Sequence, residues 1–390
     1  MTTVEVVAAD TAGSVDERLD ALLAEVSPAT TAERDFLGAR FDRGLAWVHL
    51  PVGRGGLGAD IADTSRVHAR LAAAHAPNPS VRNLIGVEML APTLAQYGTE
   101  QQLDRFLRPA FVGDEIWCQL FSEPEAGSDL ASLGTKAVRR GETWVVTGQK
   151  VWTTLAHLAD WALCLVRTGA ADSRHRGLTM LAVDMRSPGV EVRPLRQISG
   201  EAEYNEVFLT DVAVPDAMRI GEQGEGWRVA TATLSSERAV VSEMAKGAAM
   251  AALRRRLLDA WATADASRRT PAWRDRVVRL LGDSTIIRFT AERGDLPPSM
   301  GKIQYGELAQ RISSLCVDLA GPAGTLIDTY DQTVPTTFTH VGGEADATVD
   351  PAKGLLVSQA LTIAGGTTNI NKNVLAERVL GLPPEPRRTS

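Results

Sequence analysis

Residues 118–154 read CQLFSEPEAGSDLASLGTKAVRRGETWVVTGQKVWTT and carry more structural information than any other part of the chain. Pro124 disfavours the α-helical region at the residue before it, so any preceding helix ends there. Trp144–Val146 and Val151–Trp152 are short β-prone runs. They flank Thr147–Lys150, which contains a glycine, and this pattern predicts a β-hairpin that turns at those residues.

Polar and planar groups in the same stretch suit a flat cofactor with a hydrogen-bonding edge. Gly127 and Ser128 place backbone N–H groups and a hydroxyl in a loop. Backbone groups of Leu120–Ser122 could meet the polar edge of a flavin ring, Trp152 could cover a ring face, and Thr153 could bond the ring edge. Taken singly, each residue also fits an ordinary hairpin with one buried tryptophan.

As a whole, the stretch resembles the signature of the acyl-CoA dehydrogenase family. There, Glu-Pro-x-Ala-Gly-Ser-Asp precedes Gly-x-Lys-x-Trp-[Ile/Thr]-Thr at this separation, and the match is nearly continuous. The resemblance implies FAD as cofactor. The residues it implies for cofactor binding are Gln119, Leu120, Phe121, Ser122, Gly127, Ser128, Trp152, Thr153, Thr154, Thr367, Thr368 and Asn369.

Length, composition and charge limit the possible classes of protein. A chain of 390 residues has room for two or three subdomains with buried cores. Its 44% hydrophobic and 23% charged residues are typical of soluble globular proteins. A formal net charge of −7 argues against a broad nucleic-acid surface. The three cysteines lack metal-ligand spacing, which favours a reducing compartment, and we expect a cytoplasmic location.

Neither a signal peptide nor a membrane span is expected. The N-terminal residues lack the basic and long apolar regions of a signal peptide. No apolar run approaches the roughly 20 residues that a membrane helix needs.

Hydrophobic periodicity changes twice along the chain. Residues 1–115 read as helices, residues 116–224 as short strands bounded by turns, and residues 225–390 as helices again. The strand spacing suggests a small antiparallel barrel or sandwich. This order is that of the acyl-CoA dehydrogenase fold. We therefore expect a mostly α protein with an N-terminal helical domain, a central antiparallel β-barrel and a C-terminal four-helix bundle, divided at these boundaries.

Local signals refine this outline. Capping-box spacing at Ser14–Glu17 and Thr99–Gln102 predicts two helix starts, and Thr30–Glu33 repeats the pattern. The glycine-rich segment Pro51–Gly58 lacks the Gly-Lys-Ser/Thr ending of a phosphate loop, which favours a connector between helices. Residues 331–353 read as a polar loop.

The catalytic base is where the chain departs from much of the family. There a glutamate precedes a Gly-Thr pair near the C-terminus, but here Gly365 occupies that position. A branch resembling isovaleryl- and long-chain-type dehydrogenases carries the glutamate in a Glu-Arg pair after the β domain, which matches Glu237–Arg238. We therefore expect Glu237 to be the base. The alternatives are a carboxylate that only favours a helix start, or a catalytically silent chain.

The resemblance also implies three residues at the substrate. Arg238 matches a position that contacts the pantetheine of CoA, and Ser128 matches one near the thioester. The backbone N–H of Gly365 could donate to the thioester oxygen, where enolate-like charge develops.

The anchor for the ADP half of FAD is missing from its usual place. Most relatives hold the FAD of a neighbouring subunit with the arginine and glutamine of an R-x-x-F-G-x-x-[IL]-x-x-x-Q segment. The matching region, 264–293, lacks both the Phe-Gly pair and the glutamine. Either a homodimer or homotetramer uses other residues, such as Arg268, Arg269 or Arg274, or a related subunit in a heteromer supplies the contacts.

The resemblance implies FAD-dependent α,β-dehydrogenation of an acyl thioester, normally acyl-CoA to trans-2-enoyl-CoA. A carboxylate removes the α-proton while the β-hydride passes to the flavin, and an electron-transfer flavoprotein or similar acceptor reoxidises it. The sequence leaves open a dehydrogenase of carrier-protein-bound acyl groups, a flavin oxidase, and a subunit with little activity alone. It does not assign the acyl chain.

Overall fold

The computed structural model describes residues 14–245, 247–293, 296–327 and 350–384. Most of the polar loop predicted over 331–353 therefore lies outside the described residues. Contacts between Cα atoms divide the chain into two compact units, Met1–Trp117 and Cys118–Ser390. Among the described residues, no helix is both long enough and apolar enough to cross a bilayer.

The first unit is helical. Its helices are α1 Val15–Glu25, α2 Glu33–Asp42, α3 Asp63–Ala73, α4 Ser80–Leu84, α5 Ala91–Tyr97 and α6 Glu100–Val112, with a π-helical turn at Ile85–Leu90. The capping boxes predicted at Ser14 and Thr99 are both formed and are confirmed. The start predicted at Thr30 is wrong, because Thr30 lies in a turn closed by Ser27 and Ala32 is the N-cap of α2.

The second unit opens with a sheet. Its strands are β1 Trp117–Leu120, β2 Lys136–Arg140, β3 Thr143–Thr154, β4 Trp161–Arg167, β5 Leu178–Asp184, β6 Val190–Pro194, β7 Tyr204–Pro215 and β8 Arg219–Ile220. The strand order is β6-β7-β3-β2-β4-β5-β8, and β1 pairs with β4. Trp144, Val146 and Leu181 belong to the buried core of this sheet.

Most strand pairs are antiparallel, as the sequence predicts, with one parallel exception. The pairs β2–β3, β3–β7, β6–β7, β4–β5 and β5–β8 are antiparallel. Strands β2 and β4 pair in parallel at Lys136 and Arg167, because the chain reverses direction twice between them. The sheet is therefore mixed rather than purely antiparallel.

The hairpin predicted to turn at Thr147–Lys150 is wrong, because β3 runs unbroken through those residues. The actual turn lies between β2 and β3, where Gly141 has φ 63°. Gly148 has another role: a Cβ there would lie 2.3 Å from Oγ1 of Thr135. It also follows a register shift after Val146, and glycine within a strand often marks such a bulge.

Helices complete the second unit. They are α7 Gly226–Met244, α8 Ala248–Thr263, α9 Pro271–Glu292, α10 Pro298–Ala320, α11 Pro351–Ser358 and α12 Thr368–Val374. Buried side chains of α7 to α10 form one core, which includes Met244, Leu257, Ile287 and Ile312. The predicted mostly helical chain with a central β domain and a helical bundle is confirmed. Helix α10 ends at Gly321, as predicted.

Candidate active site

A buried lysine holds the loop after β1 in place. The side chain of Lys150 is 0% exposed, and Nζ donates to the carbonyl oxygens of Phe121 at 3.0 Å and Leu165 at 2.7 Å. The same Nζ lies 2.9 Å from the Glu123 carboxylate. Burial opposes ionisation of Glu123, but the Lys150 ammonium and several hydrogen bonds lower its pKa below the ordinary value. The loop is therefore fixed by an ion pair within the protein.

Beside this loop, β3 presents an exposed aromatic ring. Trp152 has φ 60°, an unusual backbone value for a bulky residue, and is 62% exposed. Its ring meets that of Tyr204 edge-on, with centroids 6.1 Å apart. Trp152 is therefore exposed, and the buried tryptophan of this stretch is Trp144, which is 1% exposed. The N–H of Val151 donates to the carbonyl of Ser122 at 2.9 Å, which ties β3 to the loop.

Two of the residues predicted to bind the cofactor carry a buried polar atom without a partner among the residues that the structure describes. They are the hydroxyl oxygen of Thr153, a residue 1% exposed, and the amide oxygen of Gln119. Buried polar atoms are normally hydrogen-bonded, so unpaired ones call for an explanation. A planar ring with a polar edge, lying on Trp152, would give them partners. The residues present therefore fit the ring half of FAD.

A carboxylate from α7 lies next to this stretch. The side chain of Gln119 and the backbone N–H of Gly365 lie near enough to the Glu237 carboxylate to lower its pKa. A Cβ built on Gly365 would lie 3.4 Å from Oε1 of Glu237. The two positions at which the family carries its base therefore meet at one place in this fold. We call Gln119, Glu237, Lys302 and Gly365 the base site.

Burial raises the pKa of Glu237 above the ordinary value of a glutamate. The hydrogen bond from Gln119, the charges of Arg238 and Lys302, and the N–H of Gly365 oppose that rise. Burial also lowers the pKa of Arg238, and it lowers the pKa of Lys302 to about 8. The base site thus contains a half-buried carboxylate whose pKa is lowered by the charges of Arg238 and Lys302.

The loop that carries Gly365 is held from two sides. Gly365 and Gly366 have φ 66° and 85°, in the left-handed region that favours glycine. The carbonyl of Gly366 accepts from Lys302 Nζ and from Asn371 Nδ2, each at 2.7 Å. The Thr367 hydroxyl accepts from the N–H of Ile370 and caps α12.

The remaining predicted residues lie in different settings. Leu120 and Phe121 are buried, whereas Gly127 and Ser128 lie on an exposed turn. Thr154, at the end of β3, is partly exposed. Thr368 and Asn369 lie in the first turn of α12.

Sequence reasoning missed Lys302, although a signal for it exists. Lys302 lies on the buried stripe of α10 with Tyr305, Leu308 and Ile312. A lysine at an apolar position of a helical repeat is unusual, because lysine is almost never fully buried unless paired. That periodicity alone could have singled it out.

Two arginines considered for the ADP moiety are engaged within the protein. Arg268 Nε donates to the carbonyl of Asp318 at 3.0 Å, near the end of α10. Arg269 Nε donates to the carbonyl of Ala264 at 2.8 Å, after α8. Arg274 lies exposed on α9. The first two arginines thus hydrogen-bond carbonyls near helix ends.

Family models match the chain in three consecutive segments. The acyl-CoA dehydrogenase N-terminal domain matches residues 5–114, the middle domain matches residues 118–212, and the C-terminal domain matches residues 224–380. Together these matches cover most of the sequence.

Curated relatives show the same affiliation. Acyl-CoA dehydrogenase IpdE1 of Mycobacterium tuberculosis is 37% identical over 349 residues, which cover 88% of this chain and 86% of that protein. Acyl-CoA dehydrogenase FadE34 of the same organism is 38% identical over 372 residues, or 93% of this chain. That match spans only 48% of FadE34, so the chain corresponds to about half of that relative.

Solved structures share the fold. The ChsE4–ChsE5 complex from Mycobacterium tuberculosis matches with a TM-score of 0.68 and 24% identity, over 96% of this chain and 100% of that chain. An acyl-CoA dehydrogenase from Geobacillus kaustophilus matches with a TM-score of 0.71 and 22% identity, over 97% of this chain and 100% of that chain.

The family models and the curated relatives together show that the chain belongs to the acyl-CoA dehydrogenase family, which comprises oxidoreductases that act on acyl-CoA.

Proposed function

We propose that the protein catalyses FAD-dependent α,β-dehydrogenation of an acyl-CoA to the trans-2-enoyl-CoA, with Glu237 as the base. One observation carries the proposal: the Glu237 carboxylate lies 3.4 Å from the point where a side chain at position 365 would begin. Glycine at 365 leaves that space to Glu237. The side chain of Gln119, at the start of the proposed ring site, lowers the pKa of the same carboxylate.

Glu237 removes the α-proton of the substrate in this proposal. Its raised pKa brings the carboxylate closer to neutral pH, where a general base is most effective. Gln119 and the N–H of Gly365 favour the ionised form of the carboxylate. When bound, FAD supplies the acceptor for the β-hydride. Arg238 contacts the pantetheine of CoA, and Ser128 lies near the thioester.

The Gly365 N–H has two possible acceptors in this proposal. In the structure it lies near Glu237 and lowers the pKa of that carboxyl. In the proposal it serves the thioester oxygen once the substrate is bound. This exchange would couple the binding of the thioester to the freeing of the base, and a freed carboxylate accepts a proton more readily.

FAD is the cofactor in this proposal, with its ring at Phe121, Ser122, Trp152 and Thr153. The ADP half needs groups that the usual sequence segment does not supply, which favours an oligomer, either a homodimer or homotetramer or a heteromer with a related subunit. The ChsE4–ChsE5 neighbour is itself a complex of two named chains. An electron-transfer flavoprotein or similar acceptor would reoxidise the flavin. The three cysteines are free and buried, which fits a cytoplasmic location.

The test is flavin bleaching by a panel of acyl-CoA esters. We expect purified protein to be yellow and to release FAD on heating. Anaerobic addition of one or more esters of straight, branched or steroid acids should bleach the flavin. A steroid ester is included because a solved neighbour is described as a steroid ACAD. Absence of bleaching by every ester on yellow protein would contradict the proposed activity. Protein that becomes yellow only after a related subunit is added would support the heteromer.

The matched variant is Glu237→Gln, which keeps the hydrogen-bonding shape of the side chain but cannot take the proton. Loss of a general base typically slows a reaction by about 10²- to 10⁴-fold. We expect the variant to retain FAD and to bleach more slowly by that factor. Bleaching at the wild-type rate would remove Glu237 from the role of base.

A further inference from the structure

Lys302 is a buried cation to which the proposed function gives no role. It lies on α10, is 1% exposed, and donates from Nζ to the carbonyl of Gly366 at 2.7 Å. Gly366 is bonded to Gly365, where a Cβ would lie 3.4 Å from Oε1 of Glu237. The Lys302 ammonium and the Glu237 carboxylate also interact through their charges. Lys302 can thus act on Glu237 in two ways, through the backbone of Gly366 and Gly365 and through its charge.

The hydrogen bond alone does not explain a charged residue at this position. Asn371 Nδ2 already donates to the same Gly366 carbonyl at 2.7 Å. A neutral donor can therefore satisfy that oxygen, whereas burying an ammonium carries a large desolvation penalty unless an opposite charge compensates it. The carboxylate of Glu237 is the charge that Lys302 compensates in this site.

We propose that Lys302 is a positioning residue that keeps Glu237 ionised and holds the Gly365–Gly366 loop against it. This inference rests on the proposed role of Glu237 as the base. Lys302 does not touch the reacting atoms in this proposal, and acts through Glu237 and the loop.

Charged and titratable groups face Glu237 from each neighbouring element. Arg238 lies on the same helix, Lys302 comes from α10, and Tyr204 comes from β7. Burial raises the pKa of the Tyr204 phenol, and the acidic side chains Glu203, Glu237 and Glu201 add to that effect. Glu201 is itself paired with Lys353 Nζ at 2.8 Å. The side of β7 is therefore acidic, and the opposing positive charge comes from Arg238 and Lys302.

The direction of the effect follows from this arrangement. Removing a positive charge near a carboxylate favours the protonated form, so loss of Lys302 should raise the pKa of Glu237. The reaction requires ionised Glu237, so the acidic limb of the pH–rate profile should move to higher pH. Arg238 also lowers the pKa of Glu237 and remains in place, so the movement measures the share that the Lys302 charge contributes.

The main variant is Lys302→Gln, which keeps a donor for the Gly366 carbonyl and removes the charge. Lys302→Arg restores a charge on a different side chain. Asn371→Ala removes the neutral donor to the same carbonyl and leaves the charge in place. The rate of anaerobic bleaching is measured as a function of pH in all three. We expect Lys302→Gln to move the acidic limb upward by about one unit or more. We expect Lys302→Arg to move it less and Asn371→Ala to leave it in place.

A second readout needs no turnover. The ¹³C-NMR titration of labelled glutamate carboxyls gives the pKa of Glu237 directly, with Glu237→Gln identifying its signal. We expect the same upward shift in Lys302→Gln. An unchanged titration, or an equal shift in Asn371→Ala, would overturn the inference. Failure of the wild type to be bleached would refute the proposed activity, while the titration would still decide the role of Lys302.

Discussion

The ring-site stretch, residues 118–154, and the base site are assembled in opposite ways. The ring-site groups lie on β1, the loop after it and β3, which are neighbours in the sequence. The base site takes Gln119 from β1, Glu237 from α7, Lys302 from α10 and Gly365 from the loop before α12. The residues of a contiguous site form a motif that can be recognised in the sequence. An assembled site leaves only separate residues, each of which has an ordinary structural explanation.

The largest effect is expected in the contiguous region, from Lys150→Met. This change leaves the Glu123 carboxylate, which is 10% exposed, without its cation. Breaking a buried ion pair by removing one partner typically destabilises a protein by about 3–5 kcal/mol. We expect a loss of that size in the free energy of unfolding, measured by urea denaturation. We also expect flavin to be lost, because the Phe121 loop loses its anchor.

The matched control is Lys136→Met on β2. Lys136 is exposed, and changes at such positions usually alter the free energy of unfolding by about 0.5 kcal/mol or less. Equal stability of the two variants would show that Lys150 does not organise the ring-site stretch.

An intermediate effect is expected in the assembled region, from Gly365→Ala. The residue has φ 66°, and holding a non-glycine residue in that region requires about 1–3 kcal/mol. The new Cβ would also press on Oε1 of Glu237 at 3.4 Å. We expect lower stability in that range and slower bleaching by acyl-CoA, because the base is displaced.

Gly282→Ala on α9 is the control, because it makes the same substitution at a glycine within a helix. A Cβ there meets nothing within 4 Å, and alanine is favoured over glycine within a helix by about 0.5–1 kcal/mol. The two Gly→Ala changes should therefore move stability in opposite directions. A stabilised Gly365→Ala variant would mean that the loop is not held in the left-handed conformation.

The smallest effect on stability is expected from Trp152→Ala, although the ring is large. The side chain is 62% exposed, so its removal should change the free energy of unfolding by less than about 1 kcal/mol. Flavin retention after dialysis should fall, because the ring surface is gone. Trp144, on the same strand, is 1% exposed, and its replacement by alanine should reduce stability by about 3–5 kcal/mol. Similar losses in both variants would contradict the assignment of Trp152 to a ligand surface.

The sequence predicted the order of helical and β regions because periodicity is a local property. It also predicted the capping boxes at Ser14 and Thr99 and the end of α10 at Gly321. It placed the hairpin turn wrongly, because Gly148 looks like a turn residue in isolation. Only the approach of Thr135, the residue before β2, explains why glycine is required there.

The candidate site, too, could be predicted from the sequence only in part. The flavin-contact residues are proposals that the sequence motif supplied. The absence of a side chain at Gly365 pointed to Glu237, but nothing local indicated that the two positions adjoin. The helical periodicity could have singled out Lys302 as a buried lysine, but its role could not be predicted, because its partners lie in other segments.

The adjacency of Gly365 and Glu237 restricts how such a protein can change over evolutionary time. With acids at both positions, two like charges would be in contact, and one carboxyl would keep its proton. With acids at neither position, the base is gone. Relocating the base without an inactive intermediate therefore requires a stage at which two carboxyls share one proton. That stage also requires the loop at 365 either to leave its left-handed conformation or to hold a non-glycine residue there under strain, so the backbone is affected as well as the side chains.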